Sequence, residues 1–166
     1  MALAKVKAQP LSDADLRSLL GKGLPIMTNR ELGGVSDINQ LFDTQGRSVL
    51  LYTPEDPTSG HWVCMMRRPD SIYYWDPYGE KPDIPEDLGG QPPVLTQILK
   101  ASGMPVFYNS HQYQSQRGDV ATCGRWCAAR LHYKDLSEKE FQSIVKKFKG
   151  KGDDFVSAFV YNFIKK

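Results

Sequence analysis

His61, Asp76 and Cys123 are the residues whose types and placement could support nucleophilic chemistry. Cys123 stands in "DVATCGRWCAARLHY" (119–133), where Trp126, Cys127, Arg130 and Leu131 recur at helical spacing, so a helix starts at Thr122 or Cys123. The positive end of a helix dipole beside a thiol favours the thiolate, which is the nucleophilic form. His61 opens the apolar run "HWVCMM" and Asp76 closes "SIYYWD", with the turn-forming "RRPD" between them, and the three pieces read as a β-hairpin. A hairpin turning symmetrically at Arg68 and Pro69 sets Arg67 opposite Asp70 and His61 opposite Asp76, with Cβ atoms about 4.5–5.5 Å apart. Such a pair directs Nδ1–H at Asp76 and leaves Nε2 as a free base. Gly124 removes bulk beside the sulfur, which lets a substrate carbonyl approach. The Cys123 backbone N–H and a side-chain amide from "QYQSQ" (112–116) supply donors for a developing oxyanion.

Each of these residues also has a plainer reading. A cysteine at a helix start is often a small buried side chain, and Cys64 and Cys127 read as core thiols. A zinc site built from Cys123, Cys127 and His132 lacks a fourth ligand and the paired-cysteine spacing. Trp62 reads both as packing and as a lid over the site. His111 and His132 read as surface or helix-end residues.

The elements that must position these groups follow from periodicity and punctuation. "LSDADLRSLLGKG" is a helix with Ser12 as N-cap, Asp15 completing a capping box and Gly21 as C-cap. "SDINQLF" is a second short helix, "SVLLYT" (48–53) a buried strand, and 77–93 a surface loop rich in proline and glycine. "VLTQILKAS" is a helix ended by Gly103, "PVFYN" a strand, and "LSEKEFQSIVKKF" and "DDFVSAFVYNFI" are closing helices. In the last, Phe155, Phe159 and Phe163 alternate with Val156, Val160 and Ile164, a face that docks on the core.

The chain of 166 residues, 40% hydrophobic and 11% aromatic, is long enough for one core and short for two, which predicts a single domain over 1–166. No internal repeat or linker interrupts it. A net charge of +2 falls far short of a dedicated nucleic-acid binder. No run approaches the roughly 18 apolar residues of a membrane span, and "MALAKVKAQP" lacks the apolar core of a signal peptide, so an intracellular protein is expected. Three cysteines at irregular spacing argue against a disulfide framework.

"GHWVCMM", "YYWDPYG" and "QRGDVATCGRWC" together resemble the adenain-like cysteine peptidases, the maturation proteases of adenoviruses and of other large or transposon-related DNA viruses. The resemblance runs from about residue 48 to 133. It rests on His followed by Trp, an acidic residue followed by Pro-aromatic-Gly, and Gln seven residues before Cys-Gly. It implies an α+β, papain-like cysteine peptidase fold of the adenain type, with a mixed, mainly antiparallel sheet flanked by helices. His61 then corresponds to the general base, Asp76 to its orienting carboxylate, Cys123 to the nucleophile and Gln116 to the oxyanion donor, with Gln114 the alternative for that role. Trp62 and Gly124 fall on the substrate side. Asp at position 76, where adenain carries Glu, is the choice of the related peptidases that process SUMO and other ubiquitin-like proteins.

The function implied is a thiol endopeptidase that cuts viral capsid or core precursors during virion maturation, near Gly-containing sites. The expected protein is monomeric and works in the virion and the host-cell interior. The alternatives are an isopeptidase acting on ubiquitin or SUMO-like modifiers and a catalytically silent interaction module of the same fold. No cofactor is required, and an activating peptide or DNA is the accessory the resemblance allows. "KKFKGK" (146–151) reads as a solvated basic turn, or else as a weak nucleic-acid contact. Two "LGG" stretches, at Leu32 and Leu88, resemble the family's Gly-Gly cleavage sites, but turn formation is the reading preferred for both glycine pairs.

Overall fold

The computed structural model describes residues 10–53, 60–83, 92–115, 121–148 and 150–164. Gln116 and the Leu88 "LGG" stretch lie outside the described residues, as do Lys149 of the basic turn and the side chains of Phe163 and Ile164. The strands are β1 (Ile26–Thr28), β2 (Arg47–Tyr52), β3 (His61–Arg67), β4 (Ile72–Trp75) and β5 (Val106–Tyr108). The helices are α1 (Asp13–Leu20), α2 (Val94–Ala101), α3 (Cys123–His132), α4 (Glu138–Lys147) and α5 (Gly152–Ile164).

The strands form one sheet in the order β1-β2-β3-β4-β5. The β2–β3 and β3–β4 pairs are antiparallel, whereas β1 and β5 join the two sides in parallel. The expected α+β fold with a mixed sheet is therefore observed, antiparallel at its centre and parallel at both edges. Central β3 is buried along almost its whole length, which accounts for its unbroken apolar run. Its alternate side chains divide between two cores. Trp62, Cys64 and Met66 join Leu16 of α1, Trp126 and Leu131 of α3, Phe141 of α4 and Val156 and Val160 of α5. Val63 and Met65 join Leu95 and Leu99 of α2, with Leu32, Ile38 and Leu41 from two 3-10 turns.

Local chemistry sets the helix ends. Ser12 and Asp15 form the expected capping box on α1, and Ser137 and Glu140 form another on α4. The second short helix is a single 3-10 turn, Ile38–Leu41, capped by Asp37 rather than by the serine before it. Leu32 of the first "LGG" is buried in a 3-10 turn, Glu31–Gly34. The three-residue β1 had no sequence signal, being too short to show a period.

The β3–β4 hairpin departs from the expected register. Arg67 pairs with Ile72 and Cys64 with Trp75, and the connection is closed by Arg68 N–H donating to the Ser71 carbonyl at 2.8 Å. The loop is thus longer than the two-residue turn expected, and the pairing is displaced by two residues. Asp76 lies just beyond the end of β4. A two-residue displacement preserves the face on which each side chain stands, so His61 and Asp76 remain neighbours, diagonal rather than opposed.

Glu138, at the start of α4, ties this hairpin to the helical layer. It accepts hydrogen bonds from the Tyr73 hydroxyl at 3.1 Å, from Trp75 Nε1 at 3.3 Å and from the Tyr113 hydroxyl, and it lies 3.6 Å from Arg130 Nε. Arg130 is fully buried and spends its other nitrogens on the carbonyls of Tyr133 and Leu136. Removing the carboxylate strands several donors at once. Glu138→Ala is expected to lower unfolding free energy by about 3 kcal/mol. Urea denaturation reads this directly, and a loss within experimental error of zero would contradict it.

Candidate active site

The site lies where β3 begins, β4 ends and α3 begins. His61, the first residue of β3, and Asp76 are 3% and 0% exposed. The His61 Nε2–H donates to Asp76 Oδ1 at 2.7 Å, and Cys123 lines the same cleft, where its charge favours the protonated ring. With Nε2 given to the carboxylate, Nδ1 is the nitrogen left for sulfur. This reverses the tautomer expected from sequence. The expectation assumed directly opposed residues, and the observed diagonal approach presents the far edge of the ring to Asp76.

Asp76 is held by a turn that its own motif builds. In Asp76-Pro77-Tyr78-Gly79, Gly79 N–H donates to the Asp76 carbonyl at 2.8 Å and Tyr78 N–H donates to Asp76 Oδ1 at 2.7 Å. Gly79 has φ +74°, and a Cβ there would stand 2.7 Å from the Ser110 carbonyl oxygen, so no other residue fits. Asn109 grips the Asp76 main chain from both sides: its Oδ1 accepts from Asp76 N–H at 2.8 Å, and its Nδ2 donates to the Asp76 carbonyl at 2.6 Å. The Pro77 carbonyl accepts from the N–H groups of Tyr113 and Gln114, which docks the 109–114 segment onto the turn. The Tyr78 ring stacks on His61, with centroids 4.6 Å apart and planes 16° off parallel.

Gln114 is thereby delivered to the same place. Its side chain is buried, its Nε2 donates to the Tyr78 hydroxyl at 3.4 Å, and its Oε1 has no partner among the described residues. The amide thus retains hydrogen-bonding capacity that the fold does not consume. Cys123 is the first residue of α3, where main-chain N–H groups lack intrahelical acceptors. Thr122, at the N-cap, makes no side-chain cap.

His61, Trp62, Tyr78, Gln114 and Cys123 line one cleft of about 470 Å³, which continues past Leu51, Met27 and Arg17. Trp62 both packs and walls the cleft: it is buried, and its Nε1 donates to the Leu11 carbonyl at 3.1 Å. Gly124 has a packing reason rather than the open approach expected for a substrate. A Cβ there would stand 3.1 Å from Trp62 Cδ1 and 3.2 Å from Leu11 Cβ. The structure therefore brings together His61, Asp76, Cys123 and Trp62 with Gln114. Cys127, one helical turn from Cys123, is fully buried beside Cys64, and that burial pushes its thiol well above the ordinary range. No cluster of three or more potential metal ligands occurs among the described residues.

Sequence reasoning missed three contributors. Tyr78 lies inside the quoted "DPYG" motif but was read only as part of it. Asn109 and Asp153 carried no local signal, because the partners that give them their roles are at least 27 positions away.

No protein-family model matches the chain. Over 145 residues, 81% of the chain, it is 32% identical to uncharacterized protein V9 of Sputnik virophage and covers 82% of that protein. Among solved structures, the central domain of the uncharacterized Lpg1148 protein from Legionella pneumophila superposes with a TM-score of 0.50 at 14% identity, spanning 95% of this chain and 98% of that one. That match shows a shared fold. The ASFV pS273R protease superposes with a TM-score of 0.48 at 13% identity over 94% of this chain and 68% of its own. No helix among the described residues is long and apolar enough to cross a membrane.

The charge on His61 has a pH signature. Burial opposes the imidazolium, but the hydrogen bonds to Asp76 and Cys123, with their charges, outweigh it and push His61 up from 6.5 to about 10. A proton held more tightly in the folded protein stabilises it fully below about pH 6.5, progressively less as pH rises, and not at all above about 10. The excess stability of wild type over Asp76→Asn in urea is therefore expected to shrink from about pH 6 to about pH 10. An excess that grows over that range would contradict the assignment.

Proposed function

We propose that this chain, which belongs to the family of Sputnik virophage protein V9, is a cysteine peptidase with Cys123 as nucleophile and His61 as general base and acid. The observation that carries the reading is the imidazole itself. It is buried, bonded through Nε2 to Asp76, and shares with Cys123 and the Gln114 amide the wall of one cleft.

The reaction follows from this arrangement. His61 Nδ1 holds the proton taken from Cys123, and the sulfur attacks the substrate carbonyl. The oxyanion sits at the start of α3, where the Cys123 N–H and the Gln114 side chain supply donors. His61 returns the proton to the leaving amine as the C–N bond breaks, leaving a thioester. Water deprotonated by His61 then releases the carboxylic acid and restores the thiol. Asp76 keeps Nε2–H fixed throughout, so that only Nδ1 exchanges protons. Trp62 and Tyr78 shield the reacting atoms from bulk water.

The preferred substrates are precursor polypeptides of a viral particle, for which the kinship with a virophage protein is the support. The same machinery suits isopeptide bonds to ubiquitin-like modifiers, and the comparison of substrates decides between them. Purified wild-type protein incubated with virion structural polypeptides is expected to give discrete new termini by mass spectrometry, and Cys123→Ala none. Turnover confined to modifier-fluorophore probes would move the assignment to an isopeptidase. No turnover, together with iodoacetamide labelling of Cys123 no faster than that of Cys64, would remove the enzyme reading. Within an active enzyme, Gln114→Ala should lower kcat on the order of 100-fold. If Gln116→Ala shows that loss and Gln114→Ala does not, the oxyanion donor is misassigned.

A further inference from the structure

Asp153 is a buried carboxylate outside the triad, and among the described residues its side-chain oxygens accept hydrogen bonds from groups that flank or support the proposed site. It is 5% exposed, in the first turn of α5. Its Oδ1 accepts from Thr122 Oγ1 at 2.5 Å and from Trp126 Nε1 at 2.9 Å, and its Oδ2 accepts from Ser115 N–H at 3.0 Å. Thr122 immediately precedes Cys123, and Ser115 immediately follows Gln114. One side chain therefore ties the segment carrying the nucleophile to the segment carrying the Gln114 amide on the same cleft. Gly152 brings the start of α5 close enough for this: a Cβ there would stand 2.9 Å from the Trp126 ring.

The Thr122 bond has a second effect. Threonine at an N-cap ordinarily turns its oxygen to the helix N–H groups. Here the hydroxyl donates to Asp153 and makes no cap. The first N–H groups of α3 are thus left for whatever negative charge develops at Cys123, rather than being consumed by the chain itself.

Resting on the peptidase reading above, we propose that Asp153 is a positioning residue that sets the separation between Cys123 and Gln114 and keeps the start of α3 uncapped for the oxyanion. Its two oxygens do separable work. Asp153→Asn keeps an acceptor for Thr122 and Trp126 but turns an amide NH2 against Ser115 N–H. Asp153→Ala removes all three bonds, and Thr122→Val removes only the one beside Cys123.

The test measures kcat and KM on a cleaved peptide, the rate of Cys123 alkylation by iodoacetamide at about pH 6, and thermal unfolding. Asp153→Asn is expected to alkylate at the wild-type rate while kcat falls on the order of tenfold with KM within about twofold. Thr122→Val and Asp153→Ala are expected to slow alkylation as well, and Asp153→Ala to lower kcat about 100-fold. A folded Asp153→Asn with wild-type kcat, or a folded Asp153→Ala alkylated at the wild-type rate, would overturn the proposal. So would failure of all three variants to fold, which makes the role structural alone. If wild type cleaves no peptide, the peptidase reading fails on that result, while alkylation of Asp153→Ala and Thr122→Val still decides the Thr122 half.

Discussion

The hydrogen bond between His61 and Asp76 is the constraint around which the sheet end is organised. Two ionisable groups with almost no access to water are costly to bury unless each is bonded on more than one side. The fold meets it in part: the side-chain bonds converge on Asp76 Oδ1, while Oδ2 has no partner among the described residues. Tyr78 N–H shares Asp76 Oδ1 with the imidazole, and Asn109 fixes the Asp76 main chain through both its N–H and its carbonyl. The Tyr78 ring covers one face of His61. A glycine with positive φ closes the turn against the Ser110 carbonyl. Each of these contacts also serves the next one outward, so the turn that holds Asp76 is the turn that places Gln114.

The three cysteines show how position decides reactivity. Cys123 and Cys127 share a helix and lie one turn apart. Cys127 lies in the aromatic core with Cys64, and burial, reinforced by the neighbouring Cys64, pushes its thiol well above the ordinary range. Cys123 stands at the helix start against an imidazole that the neighbouring carboxylate keeps charged. The packing of Trp62 and Leu11 over Gly124 completes the wall between these environments.

Much of this was legible in the sequence because its signals are local. The capping box at Ser12, the unbroken apolar run of β3 and the helical spacing after Cys123 each report one element, and each element formed where expected. The face shared by His61 and Asp76 was legible too, since strand parity survives an even displacement. The register itself was not, because "RRPD" fits both a two-residue turn and the longer loop closed by Ser71. The ring orientation followed the register and failed with it. Asn109 and Asp153 act through partners that only tertiary structure brings near, and a pattern read along one chain carries no trace of them. β1 escaped for a simpler reason, being shorter than any period by which a strand is recognised.

The most direct measurement is 15N NMR of the His61 ring in the wild-type protein at neutral pH. A ring bonded through Nε2–H to Asp76 and holding the sulfur's proton on Nδ1 should show both nitrogens protonated, with the Nε2 proton shifted far downfield. A neutral ring whose Nε2 carries no proton would contradict the arrangement, and with it the chemistry assigned to Cys123.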